Sequence, residues 1–223
     1  MTITEPLLTC IIPLGPNESV PETLIDQLDD LSCPLILSAT TPVPELSSQS
    51  RGFEWLVGPT GRAKQLNRAI EAAESDWVWL LHADSRLSPN ATSTIKGFCF
   101  DASWQEIGYG QLRFANDGPY MVRLNQWGAN VRSLLFGQPY GDQGFCVHKH
   151  LWSALGGFRE HLTRGEDLDF IIRARSLRAF PKPLNFTITT SARRYRSRGW
   201  LKTTVDHQIK AWQLIRSAKR WQP

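Results

Sequence analysis

Along the chain, short apolar runs alternate with longer stretches of helical period, the habit of an α/β domain with helices on both faces of its sheet. LLTCIIPL (residues 7–14) reads as a first strand. VPETLIDQLDDL follows, with Val20, Leu24, Leu28 and Leu31 at helical spacing behind Asn17 and Ser19 as capping candidates. PLILSA (34–39) predicts a second strand, TPVPELSSQSRG a loop and FEWLV (53–57) a short third strand. In GPTGRAKQLNRAIEAAESD, Gly58 to Gly61 form a turn, and Ala63, Leu66, Ala69, Ile70 and Ala73 share one helix face. WVWLL (77–81) is apolar throughout, as in a strand buried on both sides. Beyond it, PYMVRLNQWGANVRSLLFG predicts a long helix, GFCVH (144–148) another strand, and GEDLDFIIRARSLR a helix that starts among carboxylates. From Trp200, apolar Leu201, Val205, Ile209, Trp212 and Ile215 recur every three or four residues among Lys202, Lys210, Arg216, Lys219 and Arg220. The expectation is a Rossmann-like, mostly parallel sheet flanked by helices over 1–199, with a basic amphipathic helix over 200–223.

Composition narrows this picture. At 223 residues with 41% hydrophobic content, the chain can bury its own core. It contains no apolar run of about 18 residues, and MTITEPLLTC lacks the basic flank of a signal peptide, so a cytoplasmic protein is expected. Cys10, Cys33, Cys99 and Cys146 are widely spaced without a CxxC, the usage of reduced thiols rather than of disulfides or zinc clusters.

Charge adds an asymmetry. Residues 1–60 hold one Lys/Arg against eight Asp/Glu, whereas residues 171–223 hold thirteen against one, a net of +12. Such a tail either meets something anionic or is a solvated helix face. The terminal helix is expected to pack on its own domain or on a second subunit of a homodimer, with peripheral contact to an anionic membrane as the alternative. Neither a zinc finger nor an RNA-binding motif accompanies the charge, which argues against nucleic acid.

Several clusters carry candidate chemistry. His82-Ala83-Asp84 follows the fourth strand directly, and ligands of open α/β sheets sit at the carboxyl ends of strands. The bland reading is that Asp84 caps a turn. GPTGRAKQ lacks the Lys-Ser/Thr pair of a Walker loop, which disfavours a P-loop NTPase. Arg62 and Lys64 nonetheless occupy a first helical turn, where cations oppose the dipole, and this favours their meeting an anion. Gly141-Asp142-Gln143-Gly144 forms a polar turn before a strand. Glu166, Asp167 and Asp169 crowd a helix start, which suits the dipole but exceeds what a cap requires. TSARRYRSRGW places Arg193, Arg194, Arg196 and Arg198 beside Tyr195 and Trp200. His148 and His150 have no third ligand at suitable spacing, so no metal site is expected there.

The succession GRAKQLNRA, LLHADSRL, GDQGFCV, LGGF, GEDLDF and SARRYRSRGWLKTT resembles the family 2 glycosyltransferases of the GT-A fold, over roughly residues 8–215. Within them it is most similar to a bacterial branch associated with arsenosugar biosynthesis. The resemblance implies transfer of a sugar from a nucleotide-diphosphate donor to an acceptor hydroxyl, metal-assisted and with inversion. Asp84 matches the last acidic position of the family's cation-holding motif, whose first position is here His82. An imidazole there tolerates Mn²⁺ better than Mg²⁺ and leaves the preference between the two open. Arg62, Lys64, Arg193 and Arg194 would assist the diphosphate. Asp167 would be the general base with Glu166 beside it, and Asp142 and Gln143 would line the sugar and acceptor pocket. In one respect the chain departs from the family, which carries an acidic nucleoside-gripping loop after the second strand. Here Leu37-Ser38-Ala39-Thr40-Thr41-Pro42-Val43-Pro44 offers no carboxylate before Glu45. Two further readings stay open, a nucleotidyltransferase on a similar fold and a non-catalytic binding module.

Overall fold

The computed structural model describes residues 7–16, 18–42, 52–193 and 195. Residues 200–223, expected to form the basic helix, lie outside the described residues, as do Asn17, Arg194 and most of the loop after the second strand.

The elements are β1 (Leu8–Pro13), α1 (Glu22–Leu28), β2 (Leu35–Ala39), β3 (Glu54–Val57), α2 (Arg62–Ala72), β4 (Trp77–Leu80), β5 (Arg86–Leu87) and α3 (Ala91–Asp101). They continue as β6 (Glu106–Phe114), α4 (Val122–Phe136), β7 (Phe145–His148), α5 (Lys149–Ala154), α6 (Glu166–Ala174) and β8 (Phe180–Thr190). One sheet takes all the strands in the order β3-β2-β1-β4-β7-β6-β8-β5. The pairs β1–β2, β1–β4, β2–β3 and β6–β8 are parallel, whereas β7 runs antiparallel to both β4 and β6, and β5 runs antiparallel to β8. The first half is therefore the expected parallel wall, and the second half is more mixed than the sequence suggests.

The apolar runs are long because both faces are covered. Side chains alternate across the sheet, so Trp77 and Trp79 join Cys10, Ile12, α1 and α3 on one face. Val78 and Leu80 join Ile11, Ile36, α2 and α6 on the other. The predicted α2 stripe, Ala63, Leu66, Ala69, Ile70 and Ala73, is buried throughout. Gln65 is the one polar residue on that buried side of α2, and its Nε2 donates to the Leu14 and Ser38 carbonyls, each at 2.6 Å. This amide ties the helix to the ends of β1 and β2.

One local detail differs from expectation, and the cysteines keep to theirs. Helix α1 starts only at Glu22, behind Pro21 and without a side-chain cap, so Ser19 does not cap it and Val20 precedes it. Proline's fixed φ supports a helix start without a capping hydroxyl. The cysteines fall into two close pairs of free thiols, Cys10 with Cys33 and Cys99 with Cys146, each with sulfurs 3.5 Å apart.

Candidate functional site

Strand direction decides where the polar segments meet. Strands β1, β4, β6 and β8 point the same way, and antiparallel β7 begins where they end. The residues after β1, β4 and β8 and those before β7 therefore share one rim, the edge at which open α/β sheets bind ligands. A cavity of about 1060 Å³ lies along it. Its walls are Glu18 and Ser19 after β1, His82 to Asp84 after β4, Leu112 and Phe114 of β6, Asn125, Ala129 and Arg132 of α4, Tyr140 and Asp142 before β7, and Thr190, Ser191, Arg193 and Tyr195 at the end of β8.

Asp84 is exposed on a turn closed by other groups, since Ser85 N–H donates to the His82 carbonyl (3.0 Å) and His82 N–H to the Ser85 hydroxyl (3.3 Å). Its carboxylate instead accepts from the Thr190 hydroxyl at 3.3 Å, across the rim. The capping explanation thus fails for Asp84.

Four further carboxylates gather near the start of α6, and their environments separate them. Asp167 Oδ2 accepts from Gly141 N–H (2.6 Å) and Oδ1 from Leu168 N–H (2.8 Å), so two backbone amides fix this group beside the turn before β7. A Cβ at Gly141 would lie 3.1 Å from Asp167 Oδ2 and 3.4 Å from His82 Nε2, which places the glycine, the imidazole and the carboxylate together. Asp142 faces the cavity, its Oδ1 enclosed and without a hydrogen-bond partner among the described residues. Burial, followed by the Asp167 carboxylate, pushes Asp142 up to about 6. Glu166 is buried, and burial with the Asp167 charge raises it to about 7 despite Arg62, whose Nε lies 3.3 Å from its Oε1. Asp169 is structural. It is fully buried, with Arg173 Nε at 2.7 Å and Arg159 Nη1 at 3.1 Å.

The remaining sequence candidates divide in the same way. Arg62 does meet an anion, but it is the protein's own Glu166, and the contact joins the starts of α2 and α6. Lys64 is half-buried in the first turn of α2 and is not among the cavity walls. Gln143 is fully buried. Its Oε1 accepts from the Ser133 hydroxyl (2.7 Å) and Tyr140 N–H (3.1 Å), and its Nε2 donates to the Gly110 carbonyl (3.1 Å), so it holds the turn while Asp142 faces the cavity. Arg193 lines the rim, with Nε bonded to the Ser191 hydroxyl at 2.9 Å. His148 Nδ1 accepts from His150 N–H, and its ring packs edge-on to Trp77.

Sequence reading missed Arg132 and Tyr140. The guanidinium carbon of Arg132 sits 3.5 Å from the centre of the Tyr140 ring, its Nε donates to the Gln138 carbonyl, and its charge lowers the pKa of Asp142. A signal was present, because Asn125, Ala129, Arg132 and Phe136 share a helical face.

Among the described residues no group of three His, Cys, Asp or Glu side chains is placed to hold a metal by itself. The rim still fits a cation that shares its ligands with a substrate. Asp84 offers an exposed carboxylate, His82 a neighbouring imidazole and Asp142 an enclosed oxygen without a donor, and hard divalent ions commonly take one or two carboxylates with phosphate oxygens and water.

No family model and no curated protein matches the chain. Solved structures do. A mannosyltransferase from Pyrobaculum calidifontis, PcManGT, solved with GDP-Man and Mn²⁺, superposes with a TM-score of 0.68 at 14% identity, covering 99% of this chain and 66% of that one. Glucosyl-3-phosphoglycerate synthase from Mycobacterium tuberculosis, solved with Mn²⁺, UDP and glucosyl-3-phosphoglycerate, gives 0.57 at 13% identity over 83% and 70%. S. aureus TarS gives 0.56 at 14% identity over 83% of this chain, which spans 35% of TarS. The fold is that of the GT-A glycosyltransferases.

Proposed function

We propose that the protein transfers a sugar from a nucleotide-diphosphate donor to an acceptor hydroxyl. The observation that carries this reading is the rim itself, where an exposed carboxylate, Asp84, and an enclosed one, Asp142, line one cavity, while Asp167, outside that lining, is held by Gly141 N–H next to Asp142. Similar structures hold nucleotides with Mn²⁺, GDP-Man in one case and UDP in another, which supports a donor of this class.

In this proposal the diphosphate lies along the ends of β4 and β8. Asp84, with His82 beside it, would hold a divalent cation there, Mn²⁺ or Mg²⁺, which supplies positive charge to the leaving diphosphate. Arg193, with Arg194 next in sequence, adds cationic donors at the same rim, and Arg132 contributes charge from the facing helix. The acceptor hydroxyl sits near Asp142. Asp167 takes its proton as the oxygen attacks the anomeric carbon, and the bond to the diphosphate breaks on the opposite face, so configuration inverts. Glu166 and Arg62 hold the start of α6 in place. At the finest level we assign the chain to family 2, near the arsenosugar-associated branch, on its motif succession.

One observation favours a second assignment of the base. Asp142 faces the cavity with an enclosed oxygen and a pKa near neutrality, both suited to proton abstraction. Comparing Asp142→Asn with Asp167→Asn decides between them, since only the true base loses turnover while keeping donor affinity.

Incubation with UDP- and GDP-sugars and Mn²⁺ or Mg²⁺ tests the function itself. Nucleoside diphosphate release, with transfer or hydrolysis of the sugar, is expected, and a product of inverted anomeric configuration supports single displacement. Pyrophosphate release from a nucleoside triphosphate would replace this reading with nucleotidyl transfer.

A further inference from the structure

Helix α4 is built inside out. A helix on a protein surface normally turns apolar residues inward and polar ones to water. Here much of the inward contact is polar. Gln126 Oε1 accepts from Phe114 N–H, Asn130 accepts from Leu112 N–H and donates to the Leu112 carbonyl, each at 2.9 Å, and Ser133 bonds Gln143 at 2.7 Å. These amides serve β6 as a neighbouring strand would.

The opposite face is apolar and exposed. Tyr120 (76%), just before the helix, and Trp127 (68%), Leu134 (67%) and Leu135 (70%) project from one side, away from buried Val122, Ala129 and Ser133, with Leu124 (55%) at the border where the helix meets the cavity. So many large apolar side chains on one side are unusual on a soluble surface and mark a contact site.

Charge identifies the partner. From Gly118 to Gly141 the sequence holds no Asp or Glu, and its only charges are Arg123 and Arg132. A second copy would bring the same cations to the contact, whereas an anionic surface is attracted by all of them. Aromatic and aliphatic groups on one face, arginine at its edge and no acids are the features of a helix lying in the headgroup layer of a membrane. No helix among the described residues is long and apolar enough to cross a bilayer, so the contact is peripheral.

We infer that the outer face of α4 is a membrane-docking surface for anionic lipid. Because Asn125, Ala129 and Arg132 of the same helix wall the cavity, docking sets the cavity beside the lipid headgroups.

The test uses the full chain and needs no substrate, so it stands or falls independently of the transferase reading. Co-sedimentation is measured with phosphatidylglycerol-containing vesicles and with pure phosphatidylcholine, for the parent, Trp127→Glu and Leu134→Glu. We expect the parent to bind the anionic vesicles, and each variant to bind about tenfold less or weaker while keeping the parent's circular dichroism and Tm. Three results would overturn the inference. One is no binding to anionic vesicles or binding unchanged in the variants. Another is a lipid-free dimer, seen by sedimentation velocity, that the variants dissolve. The third is a fall in lipid-free Tm in both variants, which would mean that the chain's own C-terminal residues cover the face.

Discussion

The two sides of the cavity solve opposite problems. At the end of β4, Asp84 is exposed and, among the described residues, bonded to the Thr190 hydroxyl, so its charge stays available to a ligand. At the start of α6, the carboxylates are packed among amides, arginines and one another, and two of the group near them titrate far above the usual carboxylate range, Asp142 at about 6 and Glu166 at about 7. A sparsely bonded carboxylate suits reversible binding of a charged ligand, and a crowded, fixed one suits proton transfer. In the proposed function, binding falls to one side and proton transfer to the other, and substitutions can break that division.

The largest effect is expected at Asp167. Asp167→Asn should slow transfer by about 10² to 10⁴ while donor affinity, measured by titration calorimetry, stays within about twofold of the parent. Loss of donor binding in this variant would merge the two sides into one. Asp169→Asn, two residues on, should do the reverse. Breaking its buried pair with Arg173 should lower stability by about 3–5 kcal/mol in urea unfolding, with kcat unchanged in the folded fraction.

Glu166 should reveal itself through pH. Its folded pKa, about 7, lies above its ordinary 4.5, so the folded state holds more protons between these values and stability falls as pH rises through that window. The penalty, about 3 kcal/mol, is complete above pH 7. Glu166→Gln should remove this share, making the fall in Tm between pH 5 and 7 shallower, with raised Asp142 carrying the rest, and leaving the variant more stable than the parent at pH 8. A parent whose Tm rises over that interval would contradict the assignment. The smallest effect belongs to Asp84, where Asp84→Asn should change stability by no more than about 0.5 kcal/mol, because the group is exposed.

Much of this division was legible in the sequence. WVWLL and LLTCIIPL announced buried parallel strands because both faces of the sheet are covered, and the α2 stripe followed from its period. The second half was harder. β8 begins FPKPLN, and its two prolines and scattered polar residues hide the strand until NFTITT. β6 reads EIGYGQLRF, and its glycines give way to neighbouring rings, since a Cβ at Gly110 would lie 2.5 Å from Phe186. For the site, motif position singled out Asp84 and Asp142, which line the cavity, and Asp167, which is bonded to Gly141 N–H and does not line it. It did not separate Asp142 from Gln143, because adjacent residues in a short turn point in opposite directions and only the fold says which one faces the cavity. It did single out Asp167 over Asp169, but not the physical difference between them, which rests on the Arg159 and Arg173 contacts of Asp169. The inverted amphipathicity of α4 was hidden as well, because an apolar stripe at helical spacing looks the same whether it faces the core or the solvent.

The central claim is that Asp84 binds and does not merely decorate a turn. Titration calorimetry of UDP and GDP into the parent and into Asp84→Asn, each with and without Mn²⁺, tests it most directly. Cation-dependent nucleotide binding by the parent is expected, weakening at least about tenfold in the variant, since an amide is a poor ligand for a hard ion. Equal affinities for parent and variant, or no nucleotide diphosphate binding with Mn²⁺ present, would contradict it.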